Sequence, residues 1–464
     1  MVAFLAPEND EKGLAYLCGN MTFSDLNLST PLLNALDDLG YSTPTTIQQK
    51  AFSVIMSGRD VCGIAQTGTG KTFAYLLPCL RLWKYSKDRF PQILIIVPTR
   101  ELVVQVVEQV KKLSTYMTLE VVGVYGGVNM KPQAAALENG ADVVVATPGR
   151  LMDLAYDGAM KMRAIKRLII DEMDEMLNLG FRTQVNNILD LLPAKRQNLL
   201  FSATITEDVE LLIKTHFNDP QIIEAAPTGT PLINIKQTAY HVPNFYTKVN
   251  LLEMLLSTDA DMSKVLVFVA TKSLADQLYE QIEPKFPGQV GVIHSNKEQN
   301  HRFNTVNQFK DGTYRFIIAT DIIARGIDVE QVTHVVNFDM PEVPENYMHR
   351  IGRTGRADKP GIAIAFITEK EKESQDDIEA LMNYKIPMLP LPEDLEISDV
   401  LTEDEKPKVR MKEVLIKLPN REDRGAAFHE KSEKNRKRPV VKKQSYKDKM
   451  MAKYGKPIKR KPKK

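Results

Sequence analysis

The chain alternates short, almost continuously apolar runs with longer stretches of helical period. In the first half the runs fall at 93–97, 121–125, 142–146, 168–170 and 198–201. In the second they fall at 264–269, 290–293, 315–319, 332–338 and 361–367. A half-buried strand would alternate apolar with polar positions. Runs without that alternation predict strands covered on both faces, hence parallel sheets packed between helices. The fold class expected is α/β, with two such domains in tandem. Pro, Gly and Thr residues at 226–231 have linker chemistry and lie between the two sets of runs. The expected division is an N-terminal extension at 1–20, a first domain at 21–225, a linker at 226–236, a second domain at 237–388 and a C-terminal extension at 389–464.

At 464 residues and 43% apolar content, the chain can bury two or three cores of ordinary size. Its apolar runs are far shorter than the roughly 20 residues that cross a bilayer, and residues 1–5 lack the basic start of a secretory signal. A soluble, cytoplasmic protein with no membrane partner is expected. Cys18, Cys62 and Cys79 are too few, and wrongly spaced, for a disulfide framework or a zinc site. The net charge of +2 hides an asymmetry: residues 431–464 hold 16 Lys/Arg against Glu433 and Asp448, a net of +14 that leaves −12 on residues 1–430. Such a basic block, lacking an apolar pattern, is expected to stay solvated and bind polyanions; a tail that only solubilises is the alternative.

Candidate chemistry centres on residues 65–72, which read Ala-Gln-Thr-Gly-Thr-Gly-Lys-Thr. Gly68 and Gly70 allow a tight turn whose N–H groups converge on one anion at a helix start. In a loop of this spacing Gln66, Thr67 and Thr69 line the phosphates, Lys71 reaches the β/γ-phosphates and Thr72 holds Mg²⁺. Ala65 stands where the strict pattern has Gly, and a simple turn before a buried helix is the alternative. The run at 168–170 ends in Asp171 and Glu172, which a core would not tolerate unless they faced a site. Here Asp171 is expected to bind Mg²⁺ through water and Glu172 to position or deprotonate the attacking water. Upstream, Gln48 has an amide suited to an adenine edge and Tyr41 a ring suited to stacking, although the stretch also reads as an ordinary helix entry.

With Phe23 seventeen residues before Gly40, the stretch around Tyr41 and Gln48 resembles the Q motif of DEAD-box RNA helicases, and the resemblance continues in family order over about residues 22 to 385. Pro98-Thr99-Arg100, Gly126-Gly127 and Thr147-Pro148-Gly149-Arg150 resemble the family's strand-gripping loops. Asp174 with Ser202-Ala203-Thr204 resembles the pair that couples hydrolysis to movement. The tetrad reads Asp-Glu-Met-Asp, where the family usually has Ala in place of Met173; modest repacking with retained chemistry is expected there. In the second half Gln299 to Arg302 matches a Q-x-x-R element, with Ser295 replacing a usual Gly nearby. Ala319-Thr320-Asp321 and Ala324 to Asp328 resemble motif V, and His349-Arg350-Ile351-Gly352-Arg353-Thr354-Gly355-Arg356 resembles motif VI.

The resemblance implies two tandem RecA-like domains and an ATP-dependent RNA helicase that separates short duplexes locally and non-processively or remodels RNA–protein complexes. It implies ATP as substrate and Mg²⁺ as cofactor. By residue it implies Phe23, Gly326 and Asp328 at the nucleotide, Arg353 and Arg356 as arginine fingers, and His349 in coupling. It further implies RNA contacts from Pro98, Thr99, Arg100, Gly126, Gly127, Thr147, Pro148, Gly149, Arg150, Arg302 and Thr320. An ATP-dependent RNA clamp or annealing chaperone, and a DNA helicase, are the alternative activities. The basic tail is similar to that of the bacterial RhlE-like branch, which implies ribosomal or RNA-turnover protein partners beside RNA itself.

Overall fold

The computed structural model describes residues 21–65, 68–224, 234–321, 332–355, 360–403 and 405–406, with only the backbone for Gln299. The first sheet comprises β1 Val61–Ile64, β2 Ile93–Ile96, β3 Val121–Val124, β4 Val143–Ala146, β5 Arg167–Asp171, β6 Gln197–Ser202 and β7 Gln221–Glu224. The second comprises β8 Ile235–His241, β9 Val265–Phe268, β10 Val290–Ile293, β11 Phe316–Ala319, β12 His334–Asn337, β13 Gly361–Ile367 and β14 Met388–Leu389. Their orders are β3-β4-β2-β5-β6-β1-β7 and β10-β11-β9-β12-β13-β8-β14. The second order repeats the first strand for strand, so two halves without repeated sequence share one topology. All pairings in both sheets are parallel.

The absence of alternation in the apolar runs has the cause anticipated. On the first sheet Ile93, Ile95, Val143, Val145, Ile169 and Leu199 pack into one core, while their neighbours Leu94, Ile96, Val144, Leu168, Ile170 and Leu200 pack into another on the opposite face. A strand with water on neither side has no position for a polar residue until it ends. The chemistry is therefore confined to strand ends and to the helices that follow. Those helices are α1 Thr46–Met56, α2 Lys71–Arg81, α3 Arg100–Leu113, α4 Pro148–Tyr156, α5 Met173–Asn178, α6 Phe245–Thr258, α7 Gln299–Lys310 and α8 Pro344–Ile351. Among the described residues no helix is long and apolar enough to cross a membrane.

Two expected boundaries need correction. Strand β8 begins at Ile235, inside the linker expected to run to 236. The second domain does not end at 388, because β14 continues through Leu389 and pairs with β8. Beyond it Leu391 and Leu395 pack into the second core. Asn250 Nδ2 then donates to the Glu396 carbonyl (2.8 Å), Ser398 N to Thr247 Oγ1 (3.0 Å) and Phe245 N to Glu405 Oε1 (2.7 Å). The last of these satisfies an N–H that the first turn of α6 leaves without a helical partner. Single contacts spread over 15 residues leave no periodic signal in sequence, which is why this stretch reads as an exit.

A buried charge network fixes the second half. Lys248, in the first turn of α6, bonds Asp339 Oδ1 at 3.0 Å and Glu371 Oε2 at 2.9 Å. Asp339 Oδ2 accepts from Ala270 N (2.9 Å) and Glu371 Oε1 from Met340 N (2.9 Å), so one ammonium ties together the ends of β9, β12 and β13. Removing it leaves two buried carboxylates uncompensated. Lys248→Ala is expected to cost roughly 3–5 kcal/mol, read as an earlier urea transition and faster amide exchange in the second sheet with the first sheet unaffected; parental exchange in β9 and β12 would contradict this.

Candidate active site

Strand order places β1, β6 and β5 side by side, with Ile64 level with Ser202 and Asp171 with Phe201. The loops leaving β1 and β5 thus emerge on either side of Ser202, at the carboxyl edge where open α/β sheets bind ligands. Leaving β1, Ala65 N donates to the Ser202 carbonyl (3.0 Å). Gly68 and Gly70 have φ of 82° and 89°. At Gly70 a side chain is excluded twice over, by that left-handed backbone and because a Cβ would lie 2.5 Å from Gln48 Nε2. Lys71 opens α2, is only 7% exposed, and its ammonium has no hydrogen-bond partner among the described residues. Gln66 and Thr67 lie outside them.

Opposite, β5 is apolar until Asp171, after which Glu172 takes the left-handed region at φ 54° and ψ 53°, strained for a residue with a side chain, and caps α5. Asp171 Oδ1 accepts from Glu172 N (3.0 Å) and Oδ2 from the Tyr75 hydroxyl (3.0 Å). Burial pushes the Glu172 carboxyl up to about 7; Lys71 pulls it down, Asp171 pushes it up and Arg353 pulls it down again. Asp171 is likewise raised by burial, against Lys71 and the Tyr75 hydrogen bond. A carboxyl poised near neutrality can accept a proton at working pH.

Asp174 Oδ2 accepts from Ala203 N (3.2 Å), Thr204 N (3.1 Å) and Thr204 Oγ1 (3.1 Å), while Asp174 N donates to Ser202 Oγ (3.3 Å). The two stretches paired by sequence are thus one hydrogen-bonded unit joining the end of β5 to the end of β6. Met173 points away from it, fully buried with Met176 and Leu200 in the core beneath.

On the adenine side the geometry is more crowded than the sequence suggested. Gln48 Oε1 accepts from Thr45 N (3.0 Å), closing a capping box on α1, and Nε2 donates to the Gly70 carbonyl (3.1 Å). One donor and one acceptor direction remain for a base edge. Tyr41 is 47% exposed, its ring edge-on to Phe73 at 5.2 Å. Phe23 is different: it is 4% exposed within the first core, and its N–H donates to the Ser42 carbonyl (3.2 Å), so it positions the Tyr41 loop from beneath.

Among the loops marked for RNA, Pro98, Thr99 and Arg100 follow β2, Gly126 and Gly127 follow β3, and Thr147, Pro148 and Gly149 follow β4, three neighbouring strands. Thr99 caps α3 through Leu102 N (3.3 Å). Gly127, at φ 79°, leaves the space that the Arg100 guanidinium fills. Arg150 is spent inside the protein: it donates to Gln133 Oε1 (2.9 Å) and the Val128 carbonyl (2.8 Å), bracing the loop after β3 rather than reaching outward. Its place in the site is therefore corrected to a support. In the second half Thr320 is buried at the end of β11, and Arg302 on α7 pairs with Glu101 on α3 at 3.4 Å, a bond between the two halves.

His349 closes α8, and its carbonyl accepts from Arg353 Nε (3.3 Å). Arg353 is the second-half residue whose charge reaches Glu172. Gly326, Asp328 and Arg356 lie outside the described residues. The sequence reading passed over Arg350, whose buried guanidinium grips both Asp321 carboxylate oxygens, Asn337 Oδ1 (3.1 Å) and the Asp339 carbonyl (2.6 Å). It also passed over Tyr75, four residues beyond Lys71 and so on its helical face. Acids directly after apolar runs, at Asp321 and Asp339, were the available signal for the first.

Residues 45–212 match the family model described as DEAD/DEAH box helicase and residues 247–358 that described as helicase conserved C-terminal domain. The ATP-dependent RNA helicase DbpA of Bacillus subtilis is 36% identical over 81% of this chain and 78% of its own. RNA helicase CrhR of Synechocystis is 38% identical over 80% of this chain and 75% of its own. Of solved structures, S. cerevisiae Dbp5 bound to RNA and ADP BeF3 superposes with a TM-score of 0.73 at 29% identity, covering 80% of this chain and 95% of that one. DEAD-box helicase Mss116 bound to ssRNA and UDP-BeF gives 0.74 at 26% identity, covering 82% of each. With the glycine-turned loop after β1, the acidic end of β5 and the Arg353 charge brought to one sheet edge, and relatives alike over most of their length, this chain belongs to the DEAD-box ATP-dependent RNA helicases.

Proposed function

We propose that the protein is an RNA-stimulated ATPase that opens short RNA duplexes or remodels RNA–protein complexes, with ATP held at the first sheet and its site completed from the second half. The observation that carries this is the buried Lys71 ammonium, which has no hydrogen-bond partner among the described residues and whose charge, like that of Arg353, acts on Glu172. Cations gathered around carboxylates at a glycine-turned helix start suit a triphosphate in hydrolysis. Lys71 and the loop N–H groups bind the β/γ-phosphates. Glu172 orients and deprotonates the attacking water, and Arg353 with Arg356 neutralises charge developing on the γ-phosphoryl group. Asp174, Ser202 and Thr204 transmit the state of β5 to β6.

An oxygen-only donor set of the Thr72 hydroxyl and the Asp171 carboxylate suits Mg²⁺, and the Tyr75 phenol holds Asp171 Oδ2. When bound, Mg²⁺ would supply Lewis-acid stabilisation of the phosphate charge. Tyr41 stacks on adenine and Gln48 reads its edge with the capacity left to its amide. Arg100, Gly126, Gly127, Thr147 and Gly149 grip one RNA strand from the first half, and Arg302 and Thr320 from the second. The RNA-bound states of Dbp5 and Mss116 support RNA as the polymer.

Lys71→Ala is expected to abolish RNA-stimulated ATP hydrolysis, and near-parental turnover would sink the reading; activation by single-stranded DNA as strong as by the same RNA sequence would redirect it to DNA. Glu172→Gln is expected to bind ATP and RNA normally but to turn over about 10²- to 10⁴-fold more slowly, so RNA stays trapped; parental release with ATP would remove Glu172 from the base role. Deleting residues 431–464 is expected to weaken RNA binding most at low salt and to reduce the slope of log affinity against log salt by about 0.7 per lost phosphate contact. Superimposable salt curves would assign the tail to solubility.

A further inference from the structure

Tyr75 has a hydroxyl that neither the core nor the hydrolytic scheme explains. It is fully buried, its ring packed at 5.3 Å from Phe201 between α2 and β6, where a plain phenyl ring would fill the same space. The hydroxyl donates to Asp171 Oδ2 at 3.0 Å. With Asp171 Oδ1 taken by Glu172 N at 3.0 Å, the carboxylate is held at both ends and cannot rotate, yet each oxygen retains a lone pair directed elsewhere.

We propose that Tyr75 is a positioning residue that holds the Asp171 carboxylate in one pre-arranged orientation, setting how much Mg²⁺ the protein needs to bind its nucleotide. The inference rests on the ATPase reading above. Without the hydroxyl the carboxylate keeps only the Glu172 N–H on Oδ1 and is less well ordered before the metal arrives, so part of the ordering cost moves from folding to binding. The phenol touches no reacting atom, and excess metal should make good its loss.

The test titrates Mg²⁺ against the full-length protein and a fluorescent ADP analogue without RNA, in the parent and in Tyr75→Phe, and repeats the titration with RNA-stimulated ATPase as readout. In Tyr75→Phe the Mg²⁺ giving half-maximal nucleotide binding is expected to rise about three- to tenfold, the scale of one ordinary intramolecular hydrogen bond. ATPase should shift by the same factor and be restored by saturating Mg²⁺. In an Asp171→Asn background the same change should produce no further shift. Identical Mg²⁺ curves, a turnover defect that excess Mg²⁺ leaves in place, or an undiminished effect in the Asp171→Asn background would each overturn the inference. A lowered melting temperature with unshifted Mg²⁺ dependence, or failure to fold, would overturn it too, by assigning the hydroxyl to packing. A parent that binds no nucleotide at any Mg²⁺ concentration would instead defeat the ATPase reading.

Discussion

The structure depends on keeping three carboxylates, Asp171, Glu172 and Asp174, out of water at the end of a buried strand. Uncompensated, that arrangement would cost several kcal/mol per charge. Each acid is answered differently. Asp174 has four hydrogen-bond donors around it from β6 and α5. Asp171 has a backbone N–H and a phenol. Glu172 accepts no hydrogen bond among the described residues and is balanced by charge, from Lys71 at the start of α2 and Arg353 in the other half. The acid with the least local support is the one poised near neutrality and assigned to the attacking water, and its balance depends on the second sheet being in place.

This makes the framework around Arg353 part of the chemistry. Arg350 fixes α8 against Asp321 and the end of β12, and Lys248 fixes the end of β12 from below through Asp339. Asp339 serves both, its carbonyl to Arg350 and its carboxylate to Lys248. Three residues after Arg350, Arg353 is braced by the His349 carbonyl. The Glu101–Arg302 pair is a bond between the halves. With the Arg353 charge acting on Glu172, two electrostatic interactions link the halves, so a change in one half can bias the other.

Several side chains legible as ligand-facing turned out to be partly or wholly employed in building the site. Gln48 caps its own helix and steadies the Gly70 carbonyl, so the start of α1 and the loop before α2 are mechanically one piece. Phe23 lies in the core and Arg150 braces the loop after β3. Met173 departs from the usual Ala of its motif by filling the core away from the acids, which explains how the exchange is accommodated without displacing Asp171 or Asp174.

The sequence alone determined the class of fold, because strands buried on both faces must be apolar throughout and only parallel sheets between helices produce ten such runs. It also determined the location of the chemistry, because carboxylates ending an apolar strand and glycines preceding a lysine are intolerable in a core and meaningful at its edge. What it could not determine was which polar side chains are consumed internally. Arg150 reads in sequence as an outward-facing cation, and only the position of Gln133 and Val128 decides that it is bonded within the protein. The same holds for Tyr75, whose hydroxyl acquires a partner 96 residues away solely because β5 and β6 bring Asp171 over α2. Short edge strands such as β14 and the cap supplied by Glu405 were illegible for a related reason: two residues of pairing or one long-range hydrogen bond leave no period. Tertiary structure decided these points because hydrogen-bond partnership depends on distance in space, which sequence pattern constrains only within a single element.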